Sequence, residues 1–237
     1  MQKVASSITR GIYRIPFVGF QFRKFLERRL GERDYHQRSY WNESLSGWAA
    51  SYLGGTFSNE LRDSVTVLMA RRLAPAATSL LDLGCAGGTL AVNLAPPFKS
   101  YHGVDISDVA VAKATGYLSA NLRPSLSYEL TVSQIQDFKS AKQFDVIVFN
   151  EVLYYLPIEQ LPQVIRQYTA MLAPEGLIVV SLKSHELSHF IQTILMRELN
   201  LDHGVLYQQQ PEAAGWKTTR NSKTPAYLVQ AFRPKMG

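Results

Sequence analysis

The sequence of 237 residues contains a single cysteine, Cys85. One cysteine excludes a disulfide within this chain, a Cys-x-x-Cys redox pair, a zinc site made of cysteines and an iron–sulfur cluster held by several thiolates. The sequence also lacks an uncharged apolar run of about 18 residues, which argues against a membrane-spanning helix. We therefore expect a soluble or surface-bound protein in a reducing, cytoplasmic setting.

Most of the chain also lacks an excess of charge of either sign. The formal net charge is +6, and residues 1–30 alone hold seven of the 25 basic and one of the 19 acidic groups. The remaining residues carry 18 basic and 18 acidic groups. A nucleic-acid track needs a basic body, so we expect no nucleic acid as a partner.

Residues 1–31 form a basic amphipathic segment. Apolar residues recur at helical spacing from Val18 to Leu30, with Lys24 and Arg28 on the other side. One interpretation is a helix lying in the plane of an anionic membrane surface. The other is a helix packed on the domain as a lid, and an organelle transit peptide is a third, weaker alternative.

Residues 32–75 are expected to form a helical cap in front of the main domain, residues 76–237. A helix begins after Ser58 or Asn59 and ends before Pro75. Helical spacing gives it an apolar face made of Leu61, Val65, Leu68, Met69 and Leu73.

From Ser79 onward, short β-rich runs alternate with helical stretches. The runs SLLDLG, SYHGVDI, LSYELTV, QFDVIVFN and GLIVVSL are predicted strands, separated by helices to Leu94, over 108–120 and over 158–172. This alternation predicts a parallel, doubly wound α/β sheet with helices on both faces. A helix over 187–200 and strands over 203–209 and 225–233 follow.

The stretch LLDLGCAGGTLAVNL is the most informative part of the chain. A buried strand ends in a turn of small residues, and a helix begins near Thr89. Such a turn at the carboxyl end of a strand lets a nucleotide lie against bare backbone. The next strand ends in Asp105, whose carboxylate is placed to accept hydrogen bonds from both ribose hydroxyls. Dehydrogenases and flavoproteins use similar turns, so the turn alone leaves the ligand open.

Four ordered motifs carry a closer resemblance. LLDLGCAGGT, GVDIS, QFDVIVFNEVLYYL and MLAPEGLIVVSL resemble the class I S-adenosylmethionine-dependent methyltransferases over residues 59–182. The resemblance implies a Rossmann-like sheet of seven strands, five parallel plus an antiparallel terminal strand. It also implies S-adenosyl-L-methionine as cofactor, S-adenosyl-L-homocysteine as product and no metal. GCAGG paired with EVLYYL is most similar to nodulation-type enzymes that N-methylate a chitooligosaccharide amine and to related small-molecule and glycan methyltransferases.

The resemblance also implies the cofactor contacts. The amino acid and sulfonium would lie along Asp82, Gly84, Cys85, Ala86 and Gly88; the ribose at Asp105; the adenine at Ile106, Gln134 and Ile135; and the reactive methyl beside Asn150. Two residues depart from the family pattern. Ala86 replaces the usual second glycine, which is tolerated if its φ is negative. Gln134 replaces an acid but still offers an acceptor oxygen.

Several side chains are candidates for the acceptor side. Glu151 follows the fourth strand and His185 and His189 follow the fifth, so all three are candidate bases. Two alternatives for Glu151 stay open, a helix N-cap and a supporting hydrogen bond to the loop. For each histidine, the alternative is a solvated position. Of Tyr154 and Tyr155, one is expected to wall the pocket and the other to pack in the core.

Trp41 is a candidate lid residue that would contact the substrate. Cys85 is expected to be a small turn residue rather than a nucleophile. His185, Glu186 and His189 lack the HExxH order, so no metal site is expected.

Together these features predict methyl transfer to nitrogen or oxygen of a small-molecule, glycan or lipid-linked acceptor, with residues 1–30 as a possible membrane contact. A membrane-associated quinone or polyprenyl-phenol methyltransferase is the alternative enzyme. A non-enzymatic scaffold, favoured by Ala86 and Gln134, is the third. The sequence NEVLYY in place of a [DNS]PP[YF] loop argues against a nucleic-acid methyltransferase.

Overall fold

The structure is a computed structural model that describes residues 38–46, 57–183, 186–208 and 226–235. The chain divides into two units, Met1–Tyr35 and His36–Gly237. Every described residue belongs to the second unit. The predicted amphipathic segment and His185 therefore lie outside the described residues, and the domain boundaries at residues 31 and 75 remain a prediction.

Six helices and seven strands make up the described chain. The helices are α1 (Arg38–Ser46), α2 (Phe57–Leu73), α3 (Thr89–Val92), α4 (Asp108–Asn121), α5 (Leu161–Thr169) and α6 (Glu186–Glu198). The strands are β1 (Ser79–Leu83), β2 (Ser100–Asp105), β3 (Ser127–Val132), β4 (Phe144–Asn150), β5 (Leu172–Lys183), β6 (Leu199–Gln208) and β7 (Ala226–Pro234). Two short 3₁₀ turns, Leu153–Tyr155 and Ile158–Gln160, connect β4 to α5.

The seven strands form one sheet in the order β3-β2-β1-β4-β5-β7-β6. β1 to β5 run parallel, and β7 is antiparallel to both β5 and β6. The predicted Rossmann-like fold with seven strands is confirmed. The antiparallel strand is last in the chain but lies inside the sheet, so β6 forms the edge.

Apolar side chains bury both faces of the sheet. On one face, Leu81 and Leu83 of β1 pack with α5 and α6. On the other face, Leu80 packs with α2, α3 and α4. Central parallel strands read as near-continuous apolar runs because helices cover both of their faces. The carboxyl ends of β1, β2, β4 and β5 therefore meet at one edge of a rigid core.

The structure corrects the predicted face of α2 at Leu68, whereas Met69 is buried and Val65 and Leu73 pack on the core as predicted. Leu68 is 64% exposed, whereas Asp63 is 0% exposed and Val67 and Ala70 are buried. The helix begins at Phe57, earlier than predicted. It is rotated because the Asp63 carboxylate hydrogen-bonds to Thr89 and Asn150 beneath it. Apolar periodicity alone gave no position to Asp63.

Other element boundaries also differ from the prediction. The helix predicted over 158–172 ends at Thr169, and β5 then starts at Leu172 rather than near Gly176. The helix after the glycine turn has one turn, Thr89–Val92. β6 begins at Leu199, directly after α6, where a longer helix was predicted.

In the part of the chain that the structure describes, no helix combines the length and the hydropathy that crossing a membrane requires.

Candidate functional site

The glycine turn after β1 is held by backbone hydrogen bonds. The N–H groups of Gly84 and Cys85 donate to the Val104 carbonyl at 2.8 and 3.1 Å. Gly84 and Gly88 have φ of 76° and 74°, in the left-handed region that favours glycine. A Cβ on Gly84 would lie 2.8 Å from Cγ2 of Val152, so only glycine lets the turn pack against the segment after β4.

Ala86 is also left-handed, with φ of 45°. The negative φ under which an alanine was expected to be tolerated here is therefore not observed. The conformation is held because the Ala86 N–H donates to Asp105 Oδ2 at 2.9 Å. An alanine in this region costs roughly 1–2 kcal/mol, which this charge-assisted hydrogen bond helps to offset.

Asp105 ends β2 beside this turn and is 9% exposed. Its Oδ2 accepts from Ala86 N–H, and its Oδ1 accepts from Ser107 N–H, both at 2.9 Å. Burial raises the pKa of Asp105, and these backbone hydrogen bonds oppose the rise. Each carboxylate oxygen keeps a lone pair for a further donor, such as a ribose hydroxyl. Ile106, the residue predicted to lie at the adenine, is half-buried next to it.

Asp82 lies below the turn and is 1% exposed. Its Oδ2 accepts from the Tyr101 hydroxyl at 2.8 Å, whereas its Oδ1 accepts no hydrogen bond within the part of the chain described. Burial raises the pKa of Asp82 to about 7. An orphaned carboxylate oxygen under a glycine turn fits a ligand that brings a cationic donor, such as the amino group of S-adenosylmethionine.

Cys85 is buried in the same turn. Burial first, and then the charges of Asp105 and Asp82, raise the pKa of its thiol. A thiol of this kind stays protonated and is a poor nucleophile. These properties agree with the expected role as a small turn residue.

The loop after β3 reaches the same edge of the sheet. The Ser133 N–H donates to the Asp105 carbonyl at 2.8 Å. The side chain of Gln134 is exposed, whereas Ile135 is buried in the core and its carbonyl accepts from the Tyr168 hydroxyl at 2.7 Å. Gln134 is thus placed more openly than Ile135 for an adenine contact, and both roles remain predictions.

The end of β4 carries a cluster of polar side chains. Glu151 has a left-handed φ of 59°, and its N–H donates to the Ser181 carbonyl at 3.1 Å. Its carboxylate accepts from the Tyr154 hydroxyl at 2.7 Å, and the Ser181 hydroxyl oxygen lies 3.3 Å from its Oε1. Burial raises the pKa of Glu151, while Tyr154, Arg62 and Ser181 oppose the rise. A carboxylate with a raised pKa is suited to accept a proton near neutral pH.

Arg62 and Asp63 on α2 belong to this cluster, although the sequence analysis missed both. Arg62 Nη2 lies 3.0 Å from Asp63 Oδ1, and the Arg62 side chain is 14% exposed. Burial lowers the pKa of Arg62, but the charges of Asp63 and Glu151 outweigh it and raise the pKa overall. Asp63, Val67 and Ala70 recur at helical spacing, and all three are buried. This spacing would have identified Asp63 if the buried face had not been restricted to apolar residues.

A row of aromatic rings runs from α1 to the 3₁₀ turn after β4. The ring of Trp41 meets that of Tyr155 edge-on with centroids 4.8 Å apart, and Tyr155 meets Tyr154 at 4.6 Å. Trp41 and Ala86 each pack against a small buried cluster made of Leu45 and Ala110. Asn42 fixes α1 by accepting from the Ser107 hydroxyl at 2.6 Å and donating to Asp108 at 2.5 Å. These rings connect α1 to the residues after β4, and the lid role of Trp41 remains a prediction.

Of the two predicted histidines, only His189 lies within the described residues. His189 is exposed in the first turn of α6. Within the described ranges, no three side chains of His, Cys, Asp or Glu are grouped so that they would hold a metal ion.

The site thus joins a glycine turn, a carboxylate at the end of β2 and a polar cluster at the end of β4. A family described as "Methyltransferase domain" matches residues 54–217. This chain belongs to the methyltransferase domain family. Its sheet and its motifs are those of the class I S-adenosylmethionine-dependent methyltransferases, as the sequence predicted.

Individual relatives agree with this assignment. Nodulation protein S of Bradyrhizobium diazoefficiens is 35% identical over 112 residues, 47% of this chain and 51% of that protein. The solved N-methyltransferase NodS of Bradyrhizobium japonicum WM9 is 26% identical, covers 70% of this chain and 93% of that chain, and gives a TM-score of 0.57. The ubiquinone biosynthesis O-methyltransferase of Rickettsia canadensis is 27% identical over 119 residues, 50% of this chain and 48% of that protein. The chain spans about half or less of the length of the curated relatives it matches.

Proposed function

We propose that this protein transfers a methyl group from S-adenosylmethionine to nitrogen or oxygen of a small-molecule, glycan or lipid-linked acceptor. The observation that carries the proposal is the Asp105 carboxylate, anchored by the Ala86 N–H directly beside the glycine turn. A buried carboxylate next to bare backbone at the carboxyl ends of β1 and β2 supports a ribose-binding role for Asp105.

On the cofactor side, the proposed contacts come from the turn after β1, the end of β2 and the loop after β3. Gly84, Cys85, Ala86 and Gly88 line the amino acid and sulfonium, with Asp82 below them. Asp105 binds the ribose, while Ile106, Gln134 and Ile135 border the adenine. The half-buried Arg62 guanidinium is a further candidate, since it is a planar donor suited to a carboxylate. The cofactor supplies a methyl on a positively charged sulfur, and these residues hold it in place.

On the acceptor side, Asn150 forms the wall beside the transferred methyl. Glu151 takes the proton from the attacking nitrogen or oxygen, and the Tyr154 hydroxyl fixes the carboxylate that does so. Trp41 and Tyr155 close the site and exclude water. His185 and His189, in the segment that follows β5 in the sequence, remain candidate bases. Alignment of nucleophile, carbon and sulfur supplies most of the rate enhancement in such a displacement, up to roughly 7–11 kcal/mol.

An amine acceptor of the amino-sugar type is the first candidate. The likeness to nodulation protein S and to the N-methyltransferase NodS supports it. Glu151 also supports it, because a buried carboxylate is suited to receive a proton from an ammonium or amine.

A membrane-held quinone or polyprenyl phenol is the second candidate. The basic, aromatic composition of residues 1–30 and the likeness to the ubiquinone O-methyltransferase of Rickettsia canadensis support it. Anionic lipid attracts such segments by about 1 kcal/mol per basic residue near the surface.

Calorimetric titration with S-adenosylmethionine and S-adenosylhomocysteine tests the proposal without knowledge of the acceptor. We expect micromolar binding of both by the full chain. No binding to a folded sample would favour the scaffold alternative. With binding established, product formation is measured on an amino-sugar oligosaccharide, a lipid-linked amine and a demethylated quinone.

A liposome assay tests the membrane contact separately. Deletion of residues 1–30 should release the protein from anionic liposomes and leave cofactor affinity intact. Unchanged liposome binding by the deletion variant would refute a membrane role for this segment.

A further inference from the structure

A continuous chain of hydrogen bonds links the cofactor turn to the acceptor side. Thr89, the first residue of α3, donates its hydroxyl to Asp63 Oδ2 at 2.7 Å. Asn150 donates its amide to Asp63 Oδ1 at 2.9 Å. The Ser181 hydroxyl then donates to Asn150 Oδ1 at 2.7 Å and approaches Glu151 Oε1 at 3.3 Å. The chain therefore crosses from α3 through α2 to β4 and β5.

Asp63 is the centre of this chain. Its side chain is fully buried, and its two carboxylate oxygens accept hydrogen bonds from two different elements. Oδ2 accepts from the helix that follows the glycine turn, and Oδ1 accepts from the wall at the end of β4. Arg62 balances the charge from the same helix at 3.0 Å. A buried carboxylate with these donors is costly to disturb, because its loss leaves other buried polar groups unpaired.

Asn150 is held from both directions as a result. Its amide nitrogen points to Asp63, and its amide oxygen is occupied by Ser181. The side chain is thereby fixed, and the backbone at the end of β4 is fixed with it. A wall that is held in this way sets the position of the methyl relative to the acceptor.

We propose that Asp63 is a positioning residue that keeps the cofactor turn and the methyl-transfer wall in register. The inference rests on the proposed function, because it assigns to Asp63 the alignment of cofactor and acceptor in that site. Asp63 acts through Thr89 on the cofactor and through Asn150 on the wall. An in-line displacement is sensitive to misplacement of about 1 Å, so a rigid link between its two halves contributes directly to the rate.

The test compares S-adenosylmethionine with S-adenosylhomocysteine, which differ only in the transferred methyl and its charge. Weakened binding of both ligands reports on the turn, whereas a changed ratio of the two affinities reports on the wall. Calorimetry on full-length Asp63→Asn, Thr89→Val and Ser181→Ala provides both values. Val67→Ala is the matched control, because Val67 is buried on the same helix but belongs to the apolar core.

We expect Asp63→Asn to weaken both ligands about tenfold and to change their affinity ratio at least threefold, since it removes charge-assisted hydrogen bonds on both sides. Thr89→Val should weaken both ligands equally. Ser181→Ala should change the ratio and leave the affinity for S-adenosylhomocysteine within twofold. Val67→Ala, at a similar loss of melting temperature, should change neither quantity.

The inference is overturned if Asp63→Asn keeps both affinities within twofold of the unmodified protein, or if Val67→Ala reproduces its effects. If Asp63→Asn does not fold, Thr89→Val and Ser181→Ala decide the question. Identical effects of these two variants on both ligands would then overturn the inference. A folded, unmodified protein that binds neither ligand would overturn the proposed function itself, and this inference with it.

Discussion

Asp105 and Glu151 follow the two strands that flank β1, and the protein holds their carboxylates in different ways. Asp105 accepts from two backbone N–H groups, those of Ala86 and Ser107. Glu151 accepts from a side chain, the Tyr154 hydroxyl, and the Ser181 hydroxyl oxygen lies 3.3 Å from its carboxylate. Burial raises the pKa of both carboxyls.

This difference determines which substitutions each carboxylate site is expected to tolerate. A backbone donor is present whichever residue supplies it, so the Asp105 site needs only the turn geometry. A side-chain donor disappears on substitution, so the Glu151 site depends on particular residues. We infer that the cofactor side tolerates substitutions such as Ala86, whereas the acceptor side changes its chemistry with each one.

The largest effect is expected for Asp105→Ala. Loss of the ribose contacts, each a charge-assisted hydrogen bond, should weaken S-adenosylhomocysteine by about 1,000-fold or more. Calorimetry measures the affinity, and Asp202→Ala on the edge strand is the control with unchanged binding. Near-normal affinity of Asp105→Ala would refute the ribose assignment and the comparison with it.

Glu151→Gln tests the other half of the comparison. Turnover of an acceptor from the proposed panel should fall about 100-fold, as expected for loss of a general base. Affinity for S-adenosylhomocysteine should stay within about threefold. Because burial raises the pKa of Glu151, turnover by the unmodified protein should fall as the pH drops through that raised value.

The variant Glu151→Gln should lack this acidic limb of the pH profile. Glu159→Gln, an exposed change in the same connection, is the control with normal turnover. Normal turnover by Glu151→Gln would transfer the role of base to another group, with His185 and His189 as the next candidates.

Asp82 sharpens the comparison, because it lies on the cofactor side and yet is held by a side chain, Tyr101. Its pKa of about 7 in the folded protein lies above the value of 3.8 for an exposed aspartate. Protonated Asp82 therefore contributes its full share to the free energy of unfolding below about pH 4. This contribution is lost as the pH rises through about 7. Without cofactor, the stability of the unmodified protein should fall by about 2–3 kcal/mol between pH 5 and pH 8 through this group.

Asp82→Asn should remove most of that fall, which thermal or urea unfolding at the two pH values measures. Asn also retains an acceptor for the Tyr101 hydroxyl. An equal pH dependence in Asp82→Asn and the unmodified protein would contradict this assignment.

The smallest effect is expected for Ala86→Gly, which restores the usual glycine of the turn. Relief of the left-handed alanine should raise the free energy of unfolding by about 1 kcal/mol, reduced by the greater freedom of glycine in the unfolded chain. Ala91→Gly is the matched control, since the same change within α3 should destabilise by about 1 kcal/mol. A melting temperature that falls in both variants would show that Ala86 is not strained.

Most of the fold could be predicted because its strands are long apolar runs bounded by turn residues. The parallel core and the glycine turn follow from local patterns of this kind. The position of β7 between β5 and β6 could not be read in the same way, because strand order depends on contacts distant in sequence. The exposure of Leu68 escaped for a related reason, since the Asp63 hydrogen bonds that rotate α2 connect residues far apart in the chain.

The candidate site likewise contains residues that local motifs predict and residues that only tertiary contacts bring together. Asp105 and the turn carry local motifs, so their positions were predictable. Arg62 and Asp63, on α2, carry no motif, and Ser181 lies in the fourth motif on β5 without a predicted role. Only the folded chain brings the three side chains to Glu151 and Asn150. The left-handed φ of Ala86 was missed because alanine disfavours that conformation, and the Asp105 hydrogen bond that holds it is a tertiary contact.

The lone thiol of Cys85 has a practical consequence. It is sealed beneath the turn, where the Cβ that glycine lacks at position 103 would lie 2.9 Å from its sulfur. A thiol reagent therefore reaches it only when the turn opens, and the rate of labelling measures that local opening. Because there is one cysteine in the chain, the signal comes from a single place. The protein carries a built-in reporter of ligand occupancy, which a cofactor or an analogue seated on the turn would protect from alkylation.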